Sequence, residues 1–281
     1  MTVAAEIGIT FGRELRRNLR SAKGLVTSLL YLLGGLAALL ISVSINKEIS
    51  RLGEVTPDMR REMRRQVLSR VYDDPNTIDH LVSAPELLLA LHTATLFFLP
   101  LLVMLIGYDQ IAGDLQYRTI RFATVRSRRE SLVLGKTLGV WATSALLAVV
   151  LHLFAWTILI VRGDADAATV VKYGLHFWVC STIYSFVYVG LTMAVSSALK
   201  TPIIALMSSA AAAFAWWLSR HIVNFATGNT NGFYNALTPG HWEPMLLSPS
   251  LGTFLGGAGA LFAFGAFFVV IACAVTRSRD V

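Results

Sequence analysis

Long runs of apolar residues, almost free of charged side chains, constrain this sequence more than any other feature. An α-helix needs about 20 predominantly apolar residues to cross roughly 30 Å of hydrocarbon. Six runs meet that length, at about 24–45, 87–107, 133–161, 171–196, 202–219 and 251–275. They predict an all-α polytopic membrane protein built as one transmembrane domain over 1–281, with Pro100 placed to bend the second span.

Composition agrees. Hydrophobic residues make up 55% of the chain and charged ones only 15%, whereas a soluble domain carries about 25% charged residues. The formal net charge of +7 would suit nucleic acid on a soluble domain, but its placement in the loops gives it a membrane explanation, and no nucleic-acid partner is expected. Assigning 1–23, 108–136, 200 and 276–281 to the cytoplasm collects 14 basic and 6 acidic residues there, leaving 10 basic and 11 acidic elsewhere. Basic loops stay inside, so both termini are expected in the cytoplasm. The run from Gly24 is too long for a secretory h-region and lacks a convincing cleavage site, so it is expected to remain as the first span. Cys180 and Cys273 lie inside apolar runs and behave as small hydrophobes, not as a disulfide framework.

Between the spans, three segments carry patterns. Residues 3–22 space Ile7, Phe11, Leu15 and Leu19 by four among Arg13, Arg16, Arg17 and Arg20. That pattern describes an amphipathic helix in the cytoplasmic interface with its arginines near lipid phosphates, the alternative being a solvated helix end. Residues 46–86 form an extracytoplasmic segment in which Pro57 can open a helix with Met59, Met63, Val67 and Val71 on one stripe. It admits three roles: a gate at an external exit, a contact for an extracytoplasmic protein, or a cap on the bundle. Residues 220–250 read as an external loop with short helical pieces and interfacial aromatics. In the sixth span, the Gly252–Gly256 spacing permits close helix contact.

No set of residues assembles a catalytic or metal site. The six histidines are scattered without an HExxH pair or an acidic cluster. His92, His152 and His176 fall within or beside spans, where a neutral histidine bonding between helices competes with a substrate-path or proton-linked role. Gly135, Lys136 and Thr137 spell GKT, yet Glu130 stands where a phosphate loop requires glycine. ATP hydrolysis, if it drives this chain, belongs to another subunit.

The segment from Asp109 to Lys136 is the most informative. It joins spans two and three, and its arginines, including Arg118, Arg121, Arg126, Arg128 and Arg129, serve either as ordinary positive-inside residues or as a docking element. Here the sequence resembles the permeases of type-2 ABC exporters. Asp109, Ile111, Asp114, Thr119 and Ile120 match the pattern at the end of their second span, and Arg126, Arg129, Leu134, Gly135 and Lys136 match the arginine segment and L-x-G-K that follow. The chain departs from the pattern where Gly113, Asp114 and Leu115 replace the usual Glu-Arg-Glu and where Arg118 precedes Thr119, which marks a diverged branch.

The resemblance implies a permease that is no enzyme by itself. It implies a dimer of two copies meeting near spans one and five, in a bacterial cytoplasmic membrane, each docked to a nucleotide-binding ATPase that holds ATP and Mg. The coupling region would lie within 108–132, with Asp109, Asp114, Arg118, Thr119, Arg121, Arg126, Arg128, Arg129, Gly135 and Lys136 as its residues. Relatives export antibiotics, lipids, polysaccharides or sodium. Two competing functions are a non-transporting scaffold on the same fold and an ion-coupled transporter using the histidines. The latter lacks the paired acidic residues and repeated broken spans such coupling often uses.

Overall fold

The computed structural model describes residues 2–51, 56–122, 127–228 and 232–279, and the regular elements among them are all helical. In chain order they are α1 (Val3–Arg20), α2 (Ala22–Arg51), α3 (Pro57–Leu68), α4 (Pro75–Val82), α5 (Glu86–Gly107) and α6 (Ala112–Gln116). The second half contains α7 (Arg129–Arg162), α8 (Ala167–Ala198), α9 (Pro202–Thr227), α10 (Gly232–Ala236), α11 (Pro239–Leu246) and α12 (Leu251–Ser278). Six of them, α2, α5, α7, α8, α9 and α12, are long and apolar enough to cross a membrane. The chain is therefore a polytopic membrane protein.

Local chemistry sets many of the helix boundaries. The Thr2 hydroxyl accepts from the Ala5 amide at the start of α1, Thr56 does the same for Met59 at α3, and Asp166 for Thr169 at α8. Each fills one of the donors that a helix leaves unpaired at its first turn. Pro57, Pro75, Pro202 and Pro239 occupy first-turn positions, where their missing N–H costs nothing. Gly163 and Gly228 end α7 and α9 in the left-handed region, at φ 68° and 60°. The fifth apolar helix thus runs past 219 to Thr227, because the polar residues that follow its apolar run still continue the helix until that glycine.

Burial is unevenly shared. Within its most apolar window, α8 is 61% buried and α9 only 11%. Helix α8 forms the centre, packed by α5, α7 and α12. It meets α12 backbone to backbone: a Cβ on Gly190 would sit 2.4 Å from the Gly265 carbonyl oxygen. Without a hydrophobic drive between helices inside lipid, such small-residue contacts supply much of the packing energy. The close contact on α12 therefore falls at Gly265, while a Cβ on Gly256 would meet nothing within 4 Å.

The two ends of the bundle are built differently. At the end where α5 begins, α4 buries Ile78 and Leu81 and accepts the Tyr173 hydroxyl at the His80 carbonyl, 3.2 Å away. Helix α3 is joined to α4 through the Arg65–Asp79 ion pair and through Arg64, whose Nη2 donates to the Leu81 carbonyl at 2.7 Å. The expected apolar stripe Met59, Met63, Val67 and Val71 lies exposed, and its last member falls in the turn after α3 ends at Leu68. At the other end, α7 is 34 residues long, about 51 Å at 1.5 Å per residue, so one end projects beyond a ~30 Å hydrocarbon layer. Helix α1 packs along its first turns.

Candidate functional site

Helix α1 meets α7 through its polar stripe. Glu6, Thr10, Glu14 and Asn18, spaced by four, are buried, while Ile7, Phe11, Leu15 and Leu19 beside them are only half-buried. The amphipathic pattern does not tell which side the protein takes: the polar stripe faces inward and the apolar one flanks it. Two glycines on α7 make the approach feasible. A Cβ on Gly135 would lie 2.5 Å from Thr10 Cβ, and one on Gly139 would lie 2.8 Å from Glu14 Cβ.

Lys136, the residue after that first glycine, is fully buried. Its ammonium donates to the Gln110 carbonyl at 2.7 Å, pairs with Asp114 Oδ2 at 2.9 Å and lies 3.5 Å from Glu14 Oε1. A buried ammonium is stable only where such partners replace its water. Lys136 thereby ties together α1, the turn that ends α5, the short helix α6 and α7. The Gly-Lys pair acts as one device, the glycine admitting α1 and the lysine locking it to the α5–α6 turn.

Uncharged groups extend the network. Gln110 Nε2 donates to Asn18 Oδ1 at 3.0 Å and to the Ile106 carbonyl at 3.3 Å, and its Oε1 accepts from Arg17 at 2.8 Å. Asn18 Nδ2 donates in turn to the Thr143 hydroxyl at 3.3 Å. On the far side of the turn, Ser196 Oγ of α8 accepts the Ile111 and Ala112 amides at 3.1 and 3.0 Å and donates to the Tyr108 carbonyl at 2.8 Å. Arg13 and Arg17 form ion pairs with the two oxygens of Glu14 at 3.1 and 2.9 Å. Lys23 reaches Asp109 at 2.5 Å and lies over the Tyr108 ring, so α2 also grips the turn.

The expected coupling residues separate into three groups. Asp109, Asp114, Gly135 and Lys136 belong to this buried junction. Arg118 and Thr119 follow α6 on the surface; Arg118 has φ 56°, and the Thr119 hydroxyl donates to Asp114 Oδ1 at 3.0 Å. Arg121 is exposed nearby, flanked by the exposed rings of Tyr117 and Phe122. Arg128 and Arg129 open α7 instead. The Arg128 amide donates to Glu6 Oε2 at 3.0 Å, holding the Glu6 carboxyl below its ordinary pKa with help from the Ser131 hydroxyl. Arg129 Nη1 donates to the Arg277 and Arg279 carbonyls at 2.9 and 2.7 Å, clamping the end of α12. Arg126 lies outside the described residues.

Glu14, Asn18, Gln110 and Ser196 escaped the sequence analysis. The four-residue spacing of Glu6, Thr10, Glu14 and Asn18 is their one signal in the sequence, and it runs beside a stronger apolar stripe. Gln110 and Ser196 left no periodic trace, because each acts through backbone groups of a turn.

The three histidines make different polar contacts, although His92 and His176 both pack on Phe177. His92 Nδ1 lies 3.1 Å from Ser181 Oγ, its ring stacks on Phe177, and its Nε2 is 3.8 Å from Glu243 of α11. His152 Nδ1 contacts the Ala148 carbonyl of its own helix at 2.9 Å. His176 lines a pocket with His80, Lys172 and Tyr173. Among the described residues, no group of three or more His, Cys, Asp or Glu side chains is arranged to hold a metal.

Residues 9–276, nearly the whole chain, match the family model described as ABC-2 family transporter protein. No curated protein matches the chain.

Proposed function

Since the chain belongs to the ABC-2 transporter family, we propose that it is the transmembrane subunit of an ATP-driven export complex in a bacterial cytoplasmic membrane. Two copies form the pathway, and two separate ATPase subunits bind and hydrolyse Mg-ATP. The observation that carries this reading is the Lys136 junction, which fixes the α5–α6 turn to α1, α7 and α8 through polar contacts made by the fully buried Lys136 and Ser196 side chains. A force applied to α6 reaches four other helices without first deforming a soft loop.

The docking surface is the exposed segment that follows α6, which carries Tyr117, Arg118, Arg121 and Phe122. Aromatic and arginine side chains dominate the energetics of protein interfaces. The basic balance of α1, of 108–136 and of the C-terminal residues supports a cytoplasmic position for this end. The second copy packs on α2 and α9, whose Leu29, Leu33, Ile203, Met207, Phe214 and Trp217 are exposed.

Affinity purification of the detergent-solubilised chain from its native host, with mass-spectrometric stoichiometry, tests the proposal. A two-to-two complex with a nucleotide-binding ATPase is the expected result. A complex containing no ATPase overturns it and redirects the function to a membrane scaffold.

A further inference from the structure

At the end of the bundle where α5 begins, five charged residues line one pocket of about 520 Å³: Arg60 and Arg64 of α3, Glu86 at the start of α5, and Arg162 and Asp164 at the end of α7. Val43 of α2, Leu159 of α7 and the apolar residues on either side of Glu86 supply the rest of its lining. Two of the guanidinium groups are held in place. Arg64 Nη2 donates to the Leu81 carbonyl at 2.7 Å, and Arg162 Nε meets Asp164 at 2.9 Å. Each bond engages one nitrogen of a fork that carries five donors. Burial draws the Arg64 pKa below the ordinary guanidinium value, with the Glu86 charge opposing it, so this cation sits in a poorly hydrated place.

The surroundings are apolar. Met59, Met63 and Val67, on the same helix as Arg60 and Arg64, and Val71 in the turn that follows it are each more than half exposed. Ile41 of α2 and Val161 of α7, close in sequence to the pocket residues Val43 and Arg162, are exposed as well. An amphipathic helix with outward apolar residues and arginines between them suits the boundary between headgroups and acyl chains.

We infer that this pocket holds the headgroup of a zwitterionic phospholipid. The phosphate lies against Arg60, Arg64 and Arg162, because arginine forks match phosphate oxygens bidentately. The ammonium lies toward Glu86 and Asp164, two carboxylates that a purely anionic headgroup would leave unfavourably placed. The acyl chains run along the exposed apolar faces of α2 and α7. The inference rests on the membrane-spanning fold and stands independently of any ATPase partner.

Native mass spectrometry of the delipidated full chain in detergent tests it, with phosphatidylethanolamine or phosphatidylglycerol added back. One phosphatidylethanolamine per chain should be retained in preference to phosphatidylglycerol. Arg64→Gln and Arg162→Gln should each weaken retention about tenfold, the loss expected when one charge-assisted bond is removed. Glu86→Gln should move the preference toward phosphatidylglycerol. Equal retention of both lipids by the unaltered chain, or arginine variants that retain lipid normally, overturns the inference. Competition by phosphoethanolamine at the same concentration as the lipid also overturns it, pointing to a soluble phosphate ester. Arg162 is 42% exposed, so its variant decides the matter if Arg64→Gln fails to fold.

Discussion

The two ends of the helix bundle solve the problem of buried polarity in opposite ways. At the α1 end, a fully buried ammonium finds a carbonyl and a carboxylate within 3 Å, and a glutamine, an asparagine, a threonine and a serine complete the junction. At the α4 end, His92 and Glu243 face each other at 3.8 Å, too far for a hydrogen bond. Nearby within the spans, His152 Nε2 and Trp156 Nε1 have no hydrogen-bond partner among the described residues. The junction oxygen that lacks a hydrogen bond, Glu14 Oε2, is still ion-paired with Arg17 at 2.9 Å, and a buried network so nearly satisfied resists rearrangement, because breaking any one bond strands a desolvated group. A partly satisfied one can gain bonds by moving. The α1 end is thus suited to carrying a displacement intact, and the α4 end to changing shape in response.

The largest expected effect comes from removing the ammonium on which the α1 end depends. Lys136→Met leaves the Glu14 and Asp114 carboxylates close together without their shared cation. Breaking one side of a buried pair typically costs about 3–5 kcal/mol. Thermal unfolding in detergent should show that loss, together with increased proteolysis of α1. A variant that melts with the parent would mean that the junction is no more rigid than the opposite end.

A smaller effect compares two glycines. Gly135→Leu forces a side chain into Thr10 and the Ile7 carbonyl, which lie 2.5 and 3.0 Å from a Cβ there; overpacking of this kind costs about 1–3 kcal/mol. Gly256→Ala meets nothing within 4 Å and should stabilise α12 by about 0.5–1 kcal/mol through helix propensity. Equal responses at the two positions would remove the distinction between a tightly packed and an open helix face.

Much of this architecture is legible in the residues. The six apolar runs each became a long helix, and Pro57 opens α3 as its position suggests. Asp109, Asp114, Gly135 and Lys136, which stand out through the resemblance to exporter permeases, meet in one junction. The orientation of α1 was not legible, since periodicity reveals two stripes without saying which one the protein covers. Arg129 was ambiguous for a related reason. Its arginine-rich neighbourhood resembles a docking surface, yet its guanidinium is engaged with carbonyls of α12, nearly 150 residues away. Nothing local in a sequence marks such a distant partner.

At the α4 end, His152→Leu should change stability by about 1 kcal/mol or less, because it exchanges a buried ring with one unpartnered nitrogen for an apolar side chain. Melting temperature and transport separate its two roles. Unchanged transport assigns His152 to packing; lost transport in a stable variant assigns it to a substrate or proton path and makes the α4 end the chemically active one.

The smallest effect concerns acid. The Arg128 amide and the Ser131 hydroxyl favour the ionised form of Glu6, so its pKa in the folded chain is lowered. A carboxyl of this kind contributes stability above its unfolded pKa, about 4.3, and the contribution disappears as pH falls through the lower folded value. Asp74 and Asp166, which cap α4 and α8 at the opposite end, are lowered for the same reason: each accepts from a threonine and from nearby backbone amides. Acid should therefore loosen both ends in one window, but hydrogen exchange can resolve them. Protection in α1 should fall below about pH 4, whereas Glu6→Gln should leave α1 weakly protected with a flat pH response and leave α4 and α8 titrating as before. If α1 in that variant still loosens with acid, Glu6 is not the carboxyl that controls its attachment, and the difference drawn between the edge of the junction and its interior fails.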